Sequence, residues 1–155
     1  MRLEVTRKSD LATRVLIALA SDGAKHKGSA LAERLDASPG FLAQAITPLV
    51  NARWVRSEPG PNGGYTLIAH PDEVSMRAVI EAVEGPTDTF NCVLQDRLCS
   101  EDEQCPLHRP WSAARAALLS ELEAMTVTDL VTQRTHQMTE ISGRGRVPPD
   151  PWGGR

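Results

Sequence analysis

The stretch "SPGFLAQAITPLVNARWVRSEPGPNGGYTLIA", residues 38–69, decides the fold. Its first half predicts a helix, because Ser38 is a favoured N-cap, Pro39 suits the first helical position, and apolar residues recur at helical spacing. Pro48 lies inside that helix and removes a backbone hydrogen bond to Gln44, so we expect a kink or an early end there. The apolar stripe consists of Phe41, Leu42, Ala45, Ile46, Leu49 and Val50.

The second half of the stretch predicts a hairpin, because two short β-prone runs flank a turn rich in Pro, Gly and Asn. Upstream, apolar residues at helical spacing predict a first helix from Ser9 to about Ala20, with Ser9 as N-cap and Asp10 in the first turn. A short second helix begins at Ser29 in "SALAERLD". This order of elements predicts a mainly α fold, a winged helix-turn-helix, whose third helix enters the major groove of DNA while the hairpin lies along the backbone.

Further along the chain, "SMRAVIEAVEG" predicts a fourth helix, capped by Ser75 and ended by Gly85 and Pro86. A long helical pattern then runs from Pro106 to about Met125. Its apolar face is too extensive for a lone surface helix, so we expect it to pack against a partner helix. "TVTDLVTQ" adds a short turn or helix. The expected divisions are a DNA-binding domain over 1–85, a cysteine-rich loop over 86–105, a dimerisation helix with a short C-terminal helix over 106–136, and a poorly ordered tail over 137–155.

Charge is distributed unevenly along the chain, which has 155 residues and a formal net charge of −3. Residues 1–56 contain nine Lys and Arg against five acids, whereas residues 57–155 contain eight against fifteen. A basic module docked on phosphates beside an acidic module fits this distribution, which chance segregation would also produce. The charged start and the broken apolar pattern predict neither a signal peptide nor a membrane span, so we expect a cytoplasmic protein.

All three cysteines lie in one polar segment, where Cys92, Cys99 and Cys105 are followed by His108. In a reducing compartment such a group indicates metal or redox chemistry more often than a disulfide. If Pro106 opens the long helix, Cys105 is its N-cap and His108 projects from the first turn on the same side. Three sulfurs and an imidazole could bind zinc, but the wide spacing fits an iron-sulfur cluster better. Three unliganded cysteines in a surface loop are the simpler alternative.

Several segments together resemble the Rrf2 family of winged-helix regulators, and the resemblance covers residues 1 to about 133. The combination of a Gly-Gly pair in the wing with three suitably placed cysteines is specific, whereas either feature alone is weak. The segments that carry the resemblance are "MRL", "SDLATRVL", "SPGFLAQAITPL", "GPNGGYTL", "VIEAVEGP", the three cysteines and "MTVTDLV".

The resemblance implies a homodimer formed through the long helix, with a [2Fe-2S] or [4Fe-4S] cluster near the interface that controls operator binding. Cys92, Cys99 and Cys105 match the three cysteine ligands of the family. The fourth ligand stays open, since His108 matches the histidine of IscR-like members and Asp10 matches the aspartate that NsrR-like members supply from the other subunit. Taken alone, Asp10 could simply favour the helix N-terminus, and His108 could be a solvated helix histidine.

The expected partner of the third helix and the wing is double-stranded operator DNA with a palindromic sequence. The chain departs from the family at two positions: Pro59 precedes the first wing glycine where Arg is frequent, and Ala43 replaces a glutamate that discriminates operators in IscR-like members. Operator preference therefore cannot be copied from those members. The predicted contacts are Ser38, Gly40 and Gln44 with bases or sugars, and Arg53, Arg56, Asn62 and Gly63 with the DNA backbone.

The leading interpretation is a dimeric, iron-sulfur-dependent transcriptional regulator, more precisely a repressor, that responds to nitric oxide, redox state or iron-sulfur supply. The alternatives are a zinc- or thiol-based winged-helix regulator, a redox or electron-transfer protein, and a winged-helix module that binds protein instead of DNA. The sequence does not favour an enzyme, because it has no CxxC pair, no phosphate-binding glycine loop before a helix, and no spacing that picks out a Ser, His and Asp constellation.

Overall fold

A computed structural model gives the architecture of the chain for residues 5–87, Leu94 and residues 105–133. The elements in chain order are α1 (Arg7–Asp22), α2 (Gly28–Arg34), α3 (Pro39–Asn51), β1 (Val55–Glu58), β2 (Gly64–Leu67), a 3-10 turn (Pro71–Glu73), α4 (Met76–Glu84) and α5 (His108–Ala124). The mainly helical fold with a two-stranded wing is therefore as predicted. In the described ranges, no helix is both long and apolar enough to cross a bilayer.

Helix α1 begins earlier than predicted, because its N-cap is Thr6 and not Ser9. The Thr6 hydroxyl accepts a hydrogen bond from the Ser9 backbone N–H at 3.2 Å. Ser9 instead lies inside the first turn and is completely buried. The prediction of Ser9 as the cap was wrong because both residues suit the cap position, and contacts from outside the helix decide between them.

Helices α2 and α3 form the helix-turn-helix. Ser38 caps α3 as predicted, and its hydroxyl accepts from the Phe41 N–H at 3.3 Å. The early end that Pro48 could have caused does not occur, since α3 continues to Asn51. Packing of one apolar face against the core outweighs the lost backbone bond. That face consists of Leu42, Ala45, Ile46 and Leu49.

The wing is an antiparallel pair in which Val55 faces Leu67 and Glu58 faces Gly64. His26, in the turn between α1 and α2, extends this pair. Its N–H donates to the Tyr65 carbonyl at 3.0 Å, and its own carbonyl accepts from the Tyr65 N–H at 2.8 Å. The base of the wing is thereby fixed to the helical part of the fold.

Helix α4 occupies the centre, where it packs against α1, α3 and α5. Ser75 caps it by accepting from the Ala78 N–H at 3.1 Å, and Gly85 with φ 95° ends it, as predicted. The buried core joins α1, α2, α3 and α4, and its largest fully buried side chains include Leu16, Leu19, Leu31, Leu35, Ile46 and Leu49.

Helix α5 begins at His108, so the expectation that Cys105 is its N-cap was wrong. Pro106 and Leu107 form a turn before the helix, and the Cys105 carbonyl accepts from the His108 N–H at 2.9 Å. A proline in this turn is compatible with the first helical position but does not force the helix to begin there.

The segment after α5 returns to α4. The Met76 N–H donates to the Met125 carbonyl at 2.8 Å, and the Val127 N–H donates to the Val74 carbonyl at 3.0 Å. A helix over 127–133 follows, as "TVTDLVTQ" predicted. Thr126 and Asp129 cap it reciprocally, because the Thr126 hydroxyl accepts from the Asp129 N–H and the Asp129 carboxylate accepts from the Thr126 N–H. Most of the predicted cysteine loop and the whole predicted tail, 137–155, lie outside the described residues.

Candidate nucleic-acid interface and metal ligands

The outward face of α3 carries the polar residues predicted to contact bases. Ser38, Gly40 and Gln44 are all exposed, while the opposite face is buried in the core. The Ser38 hydroxyl accepts the capping hydrogen bond, which leaves its own proton available for an outside acceptor. The start of α3 therefore presents donors and an amide at a rigid, well-anchored helix face.

Two arginines lie between α3 and the wing. Arg53 follows α3 and Arg56 lies on β1, and both side chains are exposed. Within the described part of the chain, neither guanidinium has a hydrogen-bond or ion-pair partner. Both groups are thus available to phosphates, and their contact with the DNA backbone stays a prediction.

The wing tip is shaped by its glycines. A Cβ on Gly63 would lie 2.1 Å from the Glu58 carbonyl oxygen, and one on Gly64 would lie 2.5 Å from the His26 carbonyl oxygen. Both positions therefore require glycine for steric reasons within the chain. Asn62 is exposed at the tip, whereas Gly63 is half-buried. Gly63 and Gly64 therefore have a structural role in the wing, and the predicted contact of Gly63 with the DNA backbone stays a prediction.

Acidic groups near this surface are paired with cations. Glu58 on β1 accepts from Lys25 Nζ at 2.9 Å, and this hydrogen bond lowers the pKa of the Glu58 carboxyl below its usual value. The pKa of Asp22 is lowered as well, mainly by the hydrogen bond with His26 at 2.9 Å, and the Arg34 guanidinium lies 3.7 Å from the same carboxylate. The pairing keeps the charge of both carboxylates partly neutralised beside the wing, which reduces repulsion of an approaching polyanion.

Two of the candidate metal ligands, Cys105 and His108, lie together at the start of α5. Both side chains are half-buried, and the backbone hydrogen bond between these residues fixes their spacing in one turn. Cys92 and Cys99 lie outside the described residues. Among the residues that are described, no group of three or more His, Cys, Asp or Glu side chains is arranged to hold a metal ion.

Asp10, the other candidate ligand, is in the first turn of α1. Its side chain is 31% exposed, and its carboxylate lies 3.8 Å from the Arg14 guanidinium, which also donates to the Leu35 carbonyl at 2.9 Å. An ion pair at this distance and exposure is weak. The carboxylate is therefore partly accessible to solvent.

A polar contact that sequence reasoning missed joins α1 to α4. One carboxylate oxygen of Glu84 accepts from the Thr6 hydroxyl at 2.9 Å, from the Thr6 N–H at 3.3 Å and from the buried Ser9 hydroxyl. We call this group of three residues the Glu84 clamp. Burial alone would raise the pKa of Glu84, but the hydrogen bonds from Ser9 and Thr6 lower it on balance. No local signal could have revealed the contact, because its partners are separated by 75 or more residues.

A second cluster fixes the first residues of the segment that leads to the cysteines. The Thr87 hydroxyl donates to Glu81 Oε1 at 2.5 Å, and Arg77 Nε donates to the same oxygen at 3.0 Å. The hydrogen bond from Thr87, followed by that from Arg77, lowers the pKa of Glu81. The start of the segment is thus attached to α4 on one side, while the Glu84 clamp attaches the end of α4 to α1.

Comparison with known proteins identifies the family. The model of the Rrf2 family, described as iron-dependent transcriptional regulators, matches residues 5–133. The chain belongs to the Rrf2 family. Among related proteins, it is 28% identical to the regulator IscR of Aliivibrio salmonicida over 117 residues, covering 76% of this chain and 68% of that protein. It is 27% identical to the regulator CymR of Bacillus subtilis over 132 residues, covering 84% and 91%.

Solved structures of Rrf2 relatives support the fold. The structure of CymR, the global cysteine regulator of B. subtilis, superimposes with a TM-score of 0.72 at 27% identity and covers 85% of this chain and 98% of that one. T. potens IscR has a TM-score of 0.63 at 20% identity, covering 96% and 94%, and supports the fold alone. The Rrf2 chain is therefore a DNA-binding transcriptional regulator with a winged-helix fold, and not an enzyme.

Proposed function

We propose that this Rrf2 regulator is a cytoplasmic homodimer that binds an iron-sulfur cluster and represses transcription in response to nitric oxide, redox state or iron-sulfur supply. The observation that carries the proposal is that Cys105 and His108 lie within one turn at the start of α5, a helix with no buried residue in the described part of the chain. The chemistry of the donor set agrees, because thiolates with an imidazole or a carboxylate suit iron.

A second copy of the chain is the proposed partner of α5. In the described part of the chain, none of the 17 residues of this helix is buried, although Leu118 (44% exposed) and the following Met125 (36% exposed) are large and apolar. Two such helices packed against each other would remove this apolar surface from water. The dimer would also place Cys105, next to the start of α5, near the interface.

Cys92, Cys99 and Cys105 would hold the [2Fe-2S] or [4Fe-4S] cluster, with Asp10 of the other subunit or His108 as the fourth ligand. A bound cluster would supply a centre that reacts with oxidants and nitric oxide. Asp10 suits a contact across the dimer because its side chain is 31% exposed. A carboxylate is also a weaker ligand for iron than a thiolate, and a more exchangeable one.

The DNA interface would consist of Ser38, Gly40 and Gln44 for bases or sugars, with Arg53, Arg56, Asn62 and Gly63 along the backbone of a palindromic operator. Helix α4 offers the physical connection between the two sites, since it packs against α5 on one side and against α1 and α3 on the other. A shift of α5 would therefore change the separation of the two recognition helices, which must fit half-sites about one DNA turn apart.

Anaerobic purification with iron and sulfide analysis, absorbance and Mössbauer spectra tests the cluster directly. We expect Cys92→Ala, Cys99→Ala and Cys105→Ala each to abolish stable cluster binding and to leave a folded dimer, because α5 and not the cysteine segment supplies the apolar interface. A colourless wild-type protein that contains one zinc per chain would contradict the iron-sulfur proposal.

Asp10→Ala and His108→Ala identify the fourth ligand. If Asp10 reaches across the dimer, Asp10→Ala should loosen the cluster and change its spectrum, while His108→Ala should have little effect. Ligation across subunits also requires that a mixed dimer of Asp10→Ala and Cys92→Ala chains retains one intact cluster. A mixed dimer without any cluster, or a spectrum that changes only with His108→Ala, rejects the role of Asp10.

A zinc- or thiol-based regulator is the second candidate function. The similarity to CymR favours it, because that structure is described as a global cysteine regulator. In that case the purified protein would hold no iron, and its DNA affinity would respond to thiol oxidation or to a small thiol metabolite. Gel shifts of the iron-free protein with and without oxidant separate the two candidates.

A further inference from the structure

Arg53 has a backbone conformation that glycine favours. Its φ is 61°, in the left-handed region. The Arg53 N–H donates to the Val50 carbonyl and the Trp54 N–H to the Leu49 carbonyl, both at 3.0 Å. These two bonds form a Schellman motif at the end of α3, and its left-handed residue is usually glycine because a Cβ crowds the following carbonyl oxygen. An arginine at this position makes the fold less stable than a glycine would.

The side chain of Arg53 makes no compensating contact with the described part of the chain. It is exposed, and none of the described residues forms a hydrogen bond or an ion pair with its guanidinium. Lys25 and Arg34 differ in this respect, since Lys25 is 2.9 Å from Glu58 and Arg34 is 3.7 Å from Asp22. The strain at Arg53 is therefore not balanced by a contact inside the described fold.

The position of Arg53 in the fold favours a contact between its guanidinium and DNA. It lies in the corner between α3 and β1, the two elements that approach DNA in a winged helix-turn-helix. A guanidinium can donate two parallel hydrogen bonds to one phosphate. We infer that Arg53 is a phosphate-binding residue whose strained backbone lowers the stability of the fold and whose side chain raises the affinity for DNA. This inference rests on the proposed DNA interface.

Asp36 provides a matched control at the end of α2. Its φ is 50°, its N–H donates to the Glu33 carbonyl at 3.2 Å, and the Ala37 N–H donates to the Ala32 carbonyl at 2.9 Å. The backbone motif is the same as at Arg53, but the side chain carries the opposite charge. Asp36→Gly therefore relieves the same kind of strain and removes no cation.

The experiment compares the full-length wild type with Arg53→Gly and Asp36→Gly. Thermal unfolding measures stability, and fluorescence anisotropy with a mixed-sequence DNA duplex of about 30 base pairs measures affinity over a series of salt concentrations. We expect both variants to unfold about 2 to 6 °C above the wild type. Arg53→Gly should bind the duplex roughly tenfold more weakly and lower the slope of log affinity against log salt by about one. Asp36→Gly should bind at least as tightly as the wild type.

Arg53→Lys separates charge from strain, because it keeps the cation and the backbone conformation. Its unfolding temperature and its salt slope should stay near those of the wild type. A wild type that binds the duplex no better than Arg53→Gly would overturn the inference and leave the rest of the interface intact. An Arg53→Gly protein that unfolds below the wild type would overturn the strain argument. If the wild type binds no duplex at low salt, the proposed interface itself fails.

Discussion

Helices α3 and α5 are both amphipathic, yet only α3 satisfies its apolar face within the chain. Leu42, Ala45, Ile46 and Leu49 of α3 are buried, whereas none of the residues of α5 is buried in the described part of the molecule. Exposing a large apolar surface to water is unfavourable. The described part of the monomer buries the apolar face of α3 but leaves the apolar residues of α5 exposed. We therefore propose different roles for the outward faces of the two helices: polar recognition of DNA for α3 and dimerisation for α5.

The largest expected effect is on the stability of the fold and comes from shortening a buried side chain of α3. Leu49 is completely buried, so Leu49→Ala should lower the free energy of unfolding by about 2 to 5 kcal/mol through lost burial and a residual cavity. Urea unfolding at a single protein concentration measures this value. A loss below about 1 kcal/mol would show that α3 is less important to the core than its burial indicates.

Leu118 tests whether the exposed apolar face of α5 is used for dimerisation. Leu118→Ala should weaken dimerisation by roughly 2 to 3 kcal/mol, since a two-fold interface loses the side chain twice. Sedimentation equilibrium measures the dissociation constant, and Lys27→Ala, an exposed substitution outside α5, is the control. An unchanged dissociation constant would remove α5 from the dimer interface.

Gln44→Ala addresses the outward face of α3. It should weaken specific operator binding by about 1 to 3 kcal/mol and leave non-specific binding nearly unchanged, because a base contact discriminates between sequences. Arg56→Ala is the matched comparison, since loss of a phosphate contact should weaken all sequences and lower the salt slope by about one. Equal behaviour of the two variants would contradict the placement of the recognition surface.

Features determined by neighbours in sequence were predictable, and those determined by distant contacts were not. Ser38 and Pro39 identify the start of α3 because both act within one turn. The start of α1 was misplaced because the Ser9 hydroxyl is used by Glu84, far along the chain. Similarly, the left-handed backbone conformation of Arg53 could not be predicted, because the usual signal for it is a glycine at that position.

The candidate site shows the same limit. The role of the cysteines as ligands stays a prediction, since Cys92 and Cys99 lie outside the described residues. Residue types and spacing were enough to select the exposed residues Ser38, Gly40 and Gln44 at α3. They could not reveal that Gly63 is required by the close approach of the Glu58 carbonyl, because this depends on how the wing folds back on itself. The Glu84 clamp was also not predicted. Its Ser9 precedes Asp10 in the sequence, and its Glu84 lies shortly before the segment that leads to Cys92.

The smallest expected effect concerns that clamp and its dependence on pH. The pKa of Glu84 is lowered in the folded chain, so its charge stabilises the fold above the ordinary value of 4.5, and this contribution is lost as the pH falls through the lowered value. Because the carboxylate is exposed and screened by water, Glu84→Gln should reduce stability by less than about 1 kcal/mol at neutral pH and make stability less dependent on pH on the acid side.

Hydrogen exchange locates the effect of Glu84→Gln within the fold. Amides at the start of α1 should exchange faster in this variant. Glu81→Gln is the control, because the pKa of Glu81 is also lowered but its partners, Arg77 and Thr87, lie on α4 and just after it. If both variants change exchange at the start of α1 equally, the clamp has no specific role in joining α1 to α4.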